Sequence, residues 1–283
     1  MEHRDRATGW KHAKLSGHKN EDLVKQLLDT HPDYAQSFLE RIGHPHDHII
    51  GTSVGGLHET DVYSVNSGKT KSKTDLKVYL SNGETVNISI KKSLNGQVYF
   101  VRAGLFIETF EKQFCRRIPD SVKRAIELFW AAAPDSLEII EQYADRSNPR
   151  NYALQMKHHS LNATTLNAYD PTLYTDLINW FIQNAYEIAE LCFSMGAVRD
   201  SEEWSDYIWY INMLGEVEID ALYSIPQICR LVQKSAEEET YYSTTNGGTT
   251  IQLPFGFVQW HQEQLQFHHK FDKVNYLAAS FGR

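Results

Sequence analysis

The chain has 283 residues, a formal net charge of −8 from 28 Lys+Arg against 36 Asp+Glu, and a composition that is 41% hydrophobic, 12% aromatic and 23% charged. That is the make-up of a globular protein with a substantial core. No apolar run approaches the ~18 residues of a membrane span, and the N-terminal "MEHRDRATGWKHAKLSGHKNEDL" lacks the apolar segment of a secretion signal, so no membrane partner and a cytoplasmic location are expected.

In chain order, Leu23, Val24, Leu27 and Leu28 mark an amphipathic helix after Ser16-Gly17, with Glu21 in its first turn. The Gly-, Pro- and His-rich stretch that follows reads as loop or short strand. A β-hairpin is expected between Asp75 and Lys91. Helices are predicted from Arg102 to about Arg117, at Ser121–Ala133, Ser136–Ala144, Thr172–Met195 and Ser224–Glu238, and two or three strands around Asn246-Gly247-Gly248 near the C-terminus. The simplest organisation is one α/β domain over 1–283. It has a core at about 15–117, and a helical and C-terminal β part at about 118–283.

Charge is uneven along the chain. Lys69, Lys71, Lys73, Lys77, Lys91, Lys92, Arg102, Lys112, Arg116 and Arg117 crowd one stretch, while acid gathers between Glu187 and Asp220. A net acidic chain is a poor non-specific coat for nucleic acid, yet this distribution allows a local basic cleft.

The hairpin "KTDLKVYLSNGETVNISIKKS" carries the sharpest pattern. Its apolar positions are Leu76, Val78 and Leu80, then Val86, Ile88 and Ile90. A two-residue loop at Asn82-Gly83 would set Leu80 against Thr85 and mix the faces. A three-residue connection, Ser81-Asn82-Gly83 with Gly83 left-handed, pairs Leu80 with Glu84, Val78 with Val86 and Leu76 with Ile88. Asp75, Ser89 and Lys91 then meet at one end of the polar face, with Lys77 and Asn87 further along. A carboxylate that can hold Mg²⁺ beside a lysine that can stabilise a phosphate suits metal-assisted phosphodiester hydrolysis. The wet face of an ordinary hairpin would carry the same residue types.

With the preceding "SGHKNEDLV" helix, this stretch resembles the core of PD-(D/E)xK nucleases, and among them type II restriction endonucleases. The resemblance covers about residues 15–117, and a looser one extends to the strand-like "LQFHHKF". It implies a restriction-endonuclease-like mixed central sheet flanked by helices, with a helical middle and C-terminal strands. The activity implied is Mg²⁺-dependent, sequence-specific hydrolysis of double-stranded DNA; the alternative is a nuclease-like protein that binds DNA without cutting. Asp75 takes the acidic metal-binding position, through "KTD" in place of "PD", and Lys91 that of the lysine. Ser89 falls where the family usually carries Glu or Asp. A hydroxyl is a much poorer Mg²⁺ ligand than a carboxylate, so another acid is expected: Glu108 by precedent from the following helix, ahead of Glu21, with Glu111 three residues beyond Glu108. A homodimer and a cognate DNA methyltransferase are further partners such enzymes have.

Lys71, Lys73 and Lys92 are expected to line a DNA cleft, and Gln264, Gln266, His268 and Lys270, which alternate along "QLQFHHK", to face base edges. Other chemistry has weaker support. His44, His46 and His48 could suggest a metal site but have no complementary distant motif; Glu59 and Asp61 have no motif at all. His158-His159 and His268-His269 read as surface or DNA-facing. Cys115, Cys192 and Cys229 lack zinc or disulfide spacing and read as buried thiols.

Overall fold

The structure, a computed structural model, describes residues 6–55, 61–215, 219–244 and 246–281. Its elements run α1 Arg6–Thr30, α2 Pro32–Arg41, β1 Ile49–Val54, β2 Asp61–Tyr63, β3 Lys69–Lys71, β4 Leu76–Leu80, β5 Thr85–Lys91, β6 Asn95–Arg102 and α3 Ala103–Gln113. Helices follow: α4 Asp120–Phe129, α5 Ser136–Tyr143, α6 Pro149–His158, α7 Ala163–Tyr169, α8 Pro171–Gln183 and α9 Ala185–Glu190. The chain closes with β7 Tyr207–Ile211, β8 Asp220–Ser224, α10 Ile225–Lys234, α11 Ala236–Glu239, β9 Tyr241–Tyr242, β10 Thr250–Leu253, β11 Gly256–His261, β12 Gln264–Lys270 and α12 Phe271–Phe281. The expected α/β class, with a mixed sheet, helical middle and C-terminal strands, is the class observed.

The chain forms two compact units, 1–94 with 193–227, and 95–192 with 228–283. The stretch expected as one core, about 15–117, is therefore shared between them.

The first unit is built on a sheet of order β1-β4-β5-β7-β8, in which β5 and β7 run parallel and the other neighbours antiparallel. The hairpin has the expected register, Leu76 opposite Ile88 and Val78 opposite Val86. Its connection closes with the Leu80 N–H on the Glu84 carbonyl at 2.9 Å and the Gly83 N–H on the Leu80 carbonyl at 3.0 Å. Gly83 sits at φ +89°, where a side chain would be strained. The apolar face packs with Val24 and Leu28 of α1, Phe38 and Leu39 of α2, and Trp209 of β7 into one cluster. Trp209 stacks on Phe38 at 5.4 Å, and its indole donates to Asp220 at 2.7 Å, so this fully buried ring also satisfies its polar atom. The strand β7, "YIWYI", was not anticipated. Apolar throughout, it lacks the alternation that betrays a half-buried strand, because it lies between β5 and β8 with four of its five residues buried.

The second unit holds an antiparallel sheet of order β6-β12-β11-β10-β9. Phe267 of β12, Phe106 and Phe110 of α3 and Trp180 of α8 interlock there, with Phe106 5.6 Å from Phe267 and Phe110 4.9 Å from Trp180. Two expectations are corrected here. The helix expected over Thr172–Met195 is broken into α8, α9 and a π-turn at Leu191–Met195, because the Asn184 side chain caps back onto the Trp180 carbonyl at 2.7 Å. Cys115 is exposed rather than buried. It lies just past the end of α3, with φ +48°, where the chain leaves the helix; Cys192 and Cys229 are buried as expected.

Candidate active site

At the end of the β4–β5 hairpin the polar face converges. Asp75 Oδ2 accepts the Ile90 N–H at 2.7 Å and the Ser89 hydroxyl at 3.3 Å. Lys91 Nζ donates to Ser89 Oγ at 2.6 Å and lies 3.8 Å from Asp75 Oδ2. Ser89 is buried to 1% exposure, so its hydroxyl must be satisfied internally, and it is: it accepts from the lysine and donates to the aspartate. Period-two alternation produces the cluster, since a strand places residues 89 and 91 on one side and the antiparallel partner brings 75 opposite.

Glu21 of α1 joins this group. Its carboxyl titrates near 7 instead of 4.5, first because it is buried and second because Asp75's charge repels its own; a hydrogen bond from His18 and the charge of Lys91 oppose the rise. His18 Nδ1 lies 3.0 Å from Glu21 Oε2. The neighbouring Asn20, fully buried, fixes this turn of the helix. Its amide donates to the Ile211 carbonyl at 3.0 Å and accepts the Met213 N–H at 2.6 Å, tying α1 to the end of β7. Nothing in the sequence singled out Asn20, since its partners lie about 190 residues away.

Glu108, ranked ahead of Glu21 from the sequence, belongs to the second unit, where it pairs with Lys112 at 2.6 Å on an exposed face of α3. Glu111 accepts the Ile118 N–H at 2.8 Å and pairs with Lys123 at 2.7 Å. Both acids have local partners. Among the remaining polar-face residues, Lys77 pairs with Glu203 at 2.7 Å, and the buried Asn87 amide donates to the Glu202 and Trp204 carbonyls, each at 2.8 Å.

Of the basic residues, Lys71 is exposed on β3, Lys73 runs its stem beside Gly196, and Lys92 donates to Ser16 of α1. Gln264, Gln266, His268 and Lys270 do alternate on β12, each partly exposed between the buried Leu265, Phe267 and His269. Cross-strand pairing puts them on one face with Arg102 and Phe100 of β6 and with Phe257, Gln259 and His261 of β11. His268 lies flat on Phe257, 4.6 Å between centroids and 6° between planes, and Lys270 stands 5.4 Å above the same ring. Burial and the charge of His261 hold the His268 imidazole below its ordinary pKa.

The other histidine motifs resolve into local contacts. His44 meets Asp47 at 3.0 Å, His158 packs on Trp260, and His269 is buried. No group of three or more metal-ligating side chains is found among the described residues. Glu59 and the side chain of Asp61 lie outside them. No described helix is long and apolar enough to cross a membrane.

No family model matches the sequence, and no curated protein matches it. Among solved structures, the restriction endonuclease MspI in complex with its cognate DNA is similar at a TM-score of 0.48 and 11% identity, over 83% of this chain and 77% of that one. So distant a likeness carries no weight for the site, whose reading rests on its own geometry.

Proposed function

We propose that the protein is a Mg²⁺-dependent endonuclease of double-stranded DNA, sequence-specific in the manner of type II restriction enzymes, with its active site at Asp75, Ser89, Lys91 and Glu21. The observation that carries this reading is the junction of Asp75, Ser89 and Lys91 within 3.8 Å of one another at the end of the hairpin. The donor set fits Mg²⁺, which is commonly held by one or two carboxylates together with water and substrate phosphate. Asp75 and Glu21 would hold it, and its charge would oppose the burial and, second to it, the repulsion from Asp75 that keep a proton on Glu21 near neutrality. The bound ion supplies charge neutralisation at the phosphate and a more acidic water.

The chain's own residues supply the rest. The Ile90 N–H and Ser89 fix the Asp75 carboxylate. Ser89 holds one of the three Lys91 donors, which leaves that ammonium directed and able to offer another to a phosphate oxygen. Ser89 thus orients the lysine, a positioning role in place of a metal ligand's. Lys71, Lys73 and Lys92 would meet the DNA backbone, and Gln264, Gln266, His268 and Lys270 the base edges.

The second reading is DNA binding without cleavage. It is favoured by the lack, among the described residues, of a third metal-ligating side chain at the site. Incubating plasmid DNA with the protein and Mg²⁺ separates the two: discrete fragments support the nuclease, and retarded but intact DNA overturns it.

A further inference from the structure

A cavity of about 670 Å³ in the second unit is lined by Asn148, Arg150, Asn151, Gln155 and His158, from α6 and its N-terminal turn, and by Trp260 of β11. This volume lies within the roughly 300–1,000 Å³ of small-molecule sites. The chemistry of its wall is specific. Four carboxamides, those of Asn148, Asn151, Gln155 and Asn162, present donors and acceptors without charge, and no carboxylate lines the cavity among the described residues. Gln155 is 3% exposed, and its Oε1 accepts the Asn162 N–H at 3.0 Å, which fixes which end of the amide carries the donors. The Asn148 side chain caps α6 on the Asn151 N–H at 3.1 Å, setting the first turn of the helix. Gly247, at φ +72°, lets its loop lie against Asn151, where an added Cβ would stand 2.6 Å from the amide nitrogen.

One side of the cavity is aromatic. The His158 and Trp260 rings pack with centroids 4.3 Å apart at 44°, and the Trp260 indole N–H is buried without an acceptor. Burial and the neighbouring Lys157 hold the His158 imidazole below its ordinary pKa. A wall of amides without a carboxylate, beside two heteroaromatic rings, matches a planar heterocycle with a hydrogen-bonding edge. Arg150 is the cation available to a phosphate joined to it.

We propose that this cavity takes a single nucleobase unstacked from a DNA strand, with the carboxamides reading its edge and the His158–Trp260 pair packing on its face. Sites that accept extruded bases combine these two contacts. The inference rests on the DNA-directed reading of the protein but not on cleavage.

The test follows tryptophan indole N–H resonances of the intact protein by NMR while each of the four deoxynucleosides is titrated separately into the millimolar range. There are six tryptophans, and Trp260→Phe identifies the Trp260 signal by its loss. At least one nucleoside should move that signal saturably, and Asn151→Ala should weaken the effect about five- to tenfold, with the other five signals in place as evidence of folding. Single-stranded DNA carrying a fluorescent adenine analogue should brighten on binding to the parent and less so to Asn151→Ala. An indifferent Trp260 signal together with no brightening overturns the proposal. A protein that binds nucleosides this way yet never cuts DNA sinks the nuclease reading alone, and a nuclease that fails both tests sinks the cavity alone.

Discussion

The two sheets obey one alternation rule and end with different chemistry. In the first, the face away from the apolar cluster ends in Asp75, Ser89 and Lys91, joined by hydrogen bonds around a buried Ser89. In the second, the corresponding face of β12 carries Gln264, Gln266, His268 and Lys270, partly exposed and beside the Phe257 ring. Partly buried charges linked through one buried hydroxyl are held in a fixed geometry. Amides and rings on an open face can each be lost singly at modest cost.

The largest expected effect lies at the first sheet. Asp75→Ala and Lys91→Ala should each lower cleavage by about a hundredfold or more, while binding of DNA in Ca²⁺ and the folded circular-dichroism spectrum are kept. Turnover near the parent rate in either variant removes that residue from the site. Ser89→Ala should be milder, because the 3.8 Å ion pair with Asp75 still retains Lys91 after its orienting hydrogen bond is lost, and a loss equal to that of Asp75→Ala would make Ser89 more than an orienting group.

Glu21 tests whether the two carboxylates act together. Glu21→Ala should raise the Mg²⁺ concentration needed for cleavage, and Glu108→Ala should leave it unchanged; the reverse result would return the role to α3. Without metal, the same carboxyl makes stability depend on pH. Its folded pKa is about 7 against 4.5 unfolded, so between those values the unfolded chain has released a proton that the folded chain still holds. Stability therefore falls as pH rises from 4.5 through 7 and levels off above. In chelator at pH 8, Glu21→Gln should be more stable than the parent by about 1–2 kcal/mol, allowing for the solvent that reaches the group, and the advantage should vanish at pH 4. Urea unfolding at the two pH values checks this.

The smallest effects belong to the second sheet. Gln266→Ala and His268→Ala should leave the rate on a good site within a few-fold and relax preference at one base position by about 1–3 kcal/mol. Unchanged preference, read from a digest of DNA of known sequence, excludes that residue from direct contact with bases. His268→Ala also removes the ring on Phe257, so a stability measurement accompanies it.

What could be read from the sequence is what the local rules dictate. Alternation with one left-handed glycine was enough to set the hairpin register, and with it the meeting of Asp75, Ser89 and Lys91, because side chains in a strand have a period of two and a one-residue slip would have exposed Leu76, Val78 and Ile88. The same rule put Gln264, Gln266, His268 and Lys270 on a common face. The tertiary structure decided the long-range partners. Strand β7, uniformly apolar, became the parallel neighbour of β5 from more than a hundred residues away. Asn20 then tied α1 to its end and so brought Glu21 within electrostatic reach of Asp75. Helical periodicity shows which side of α1 is apolar, but which turn of it docks beside a given strand depends on contacts made only when the chain has folded.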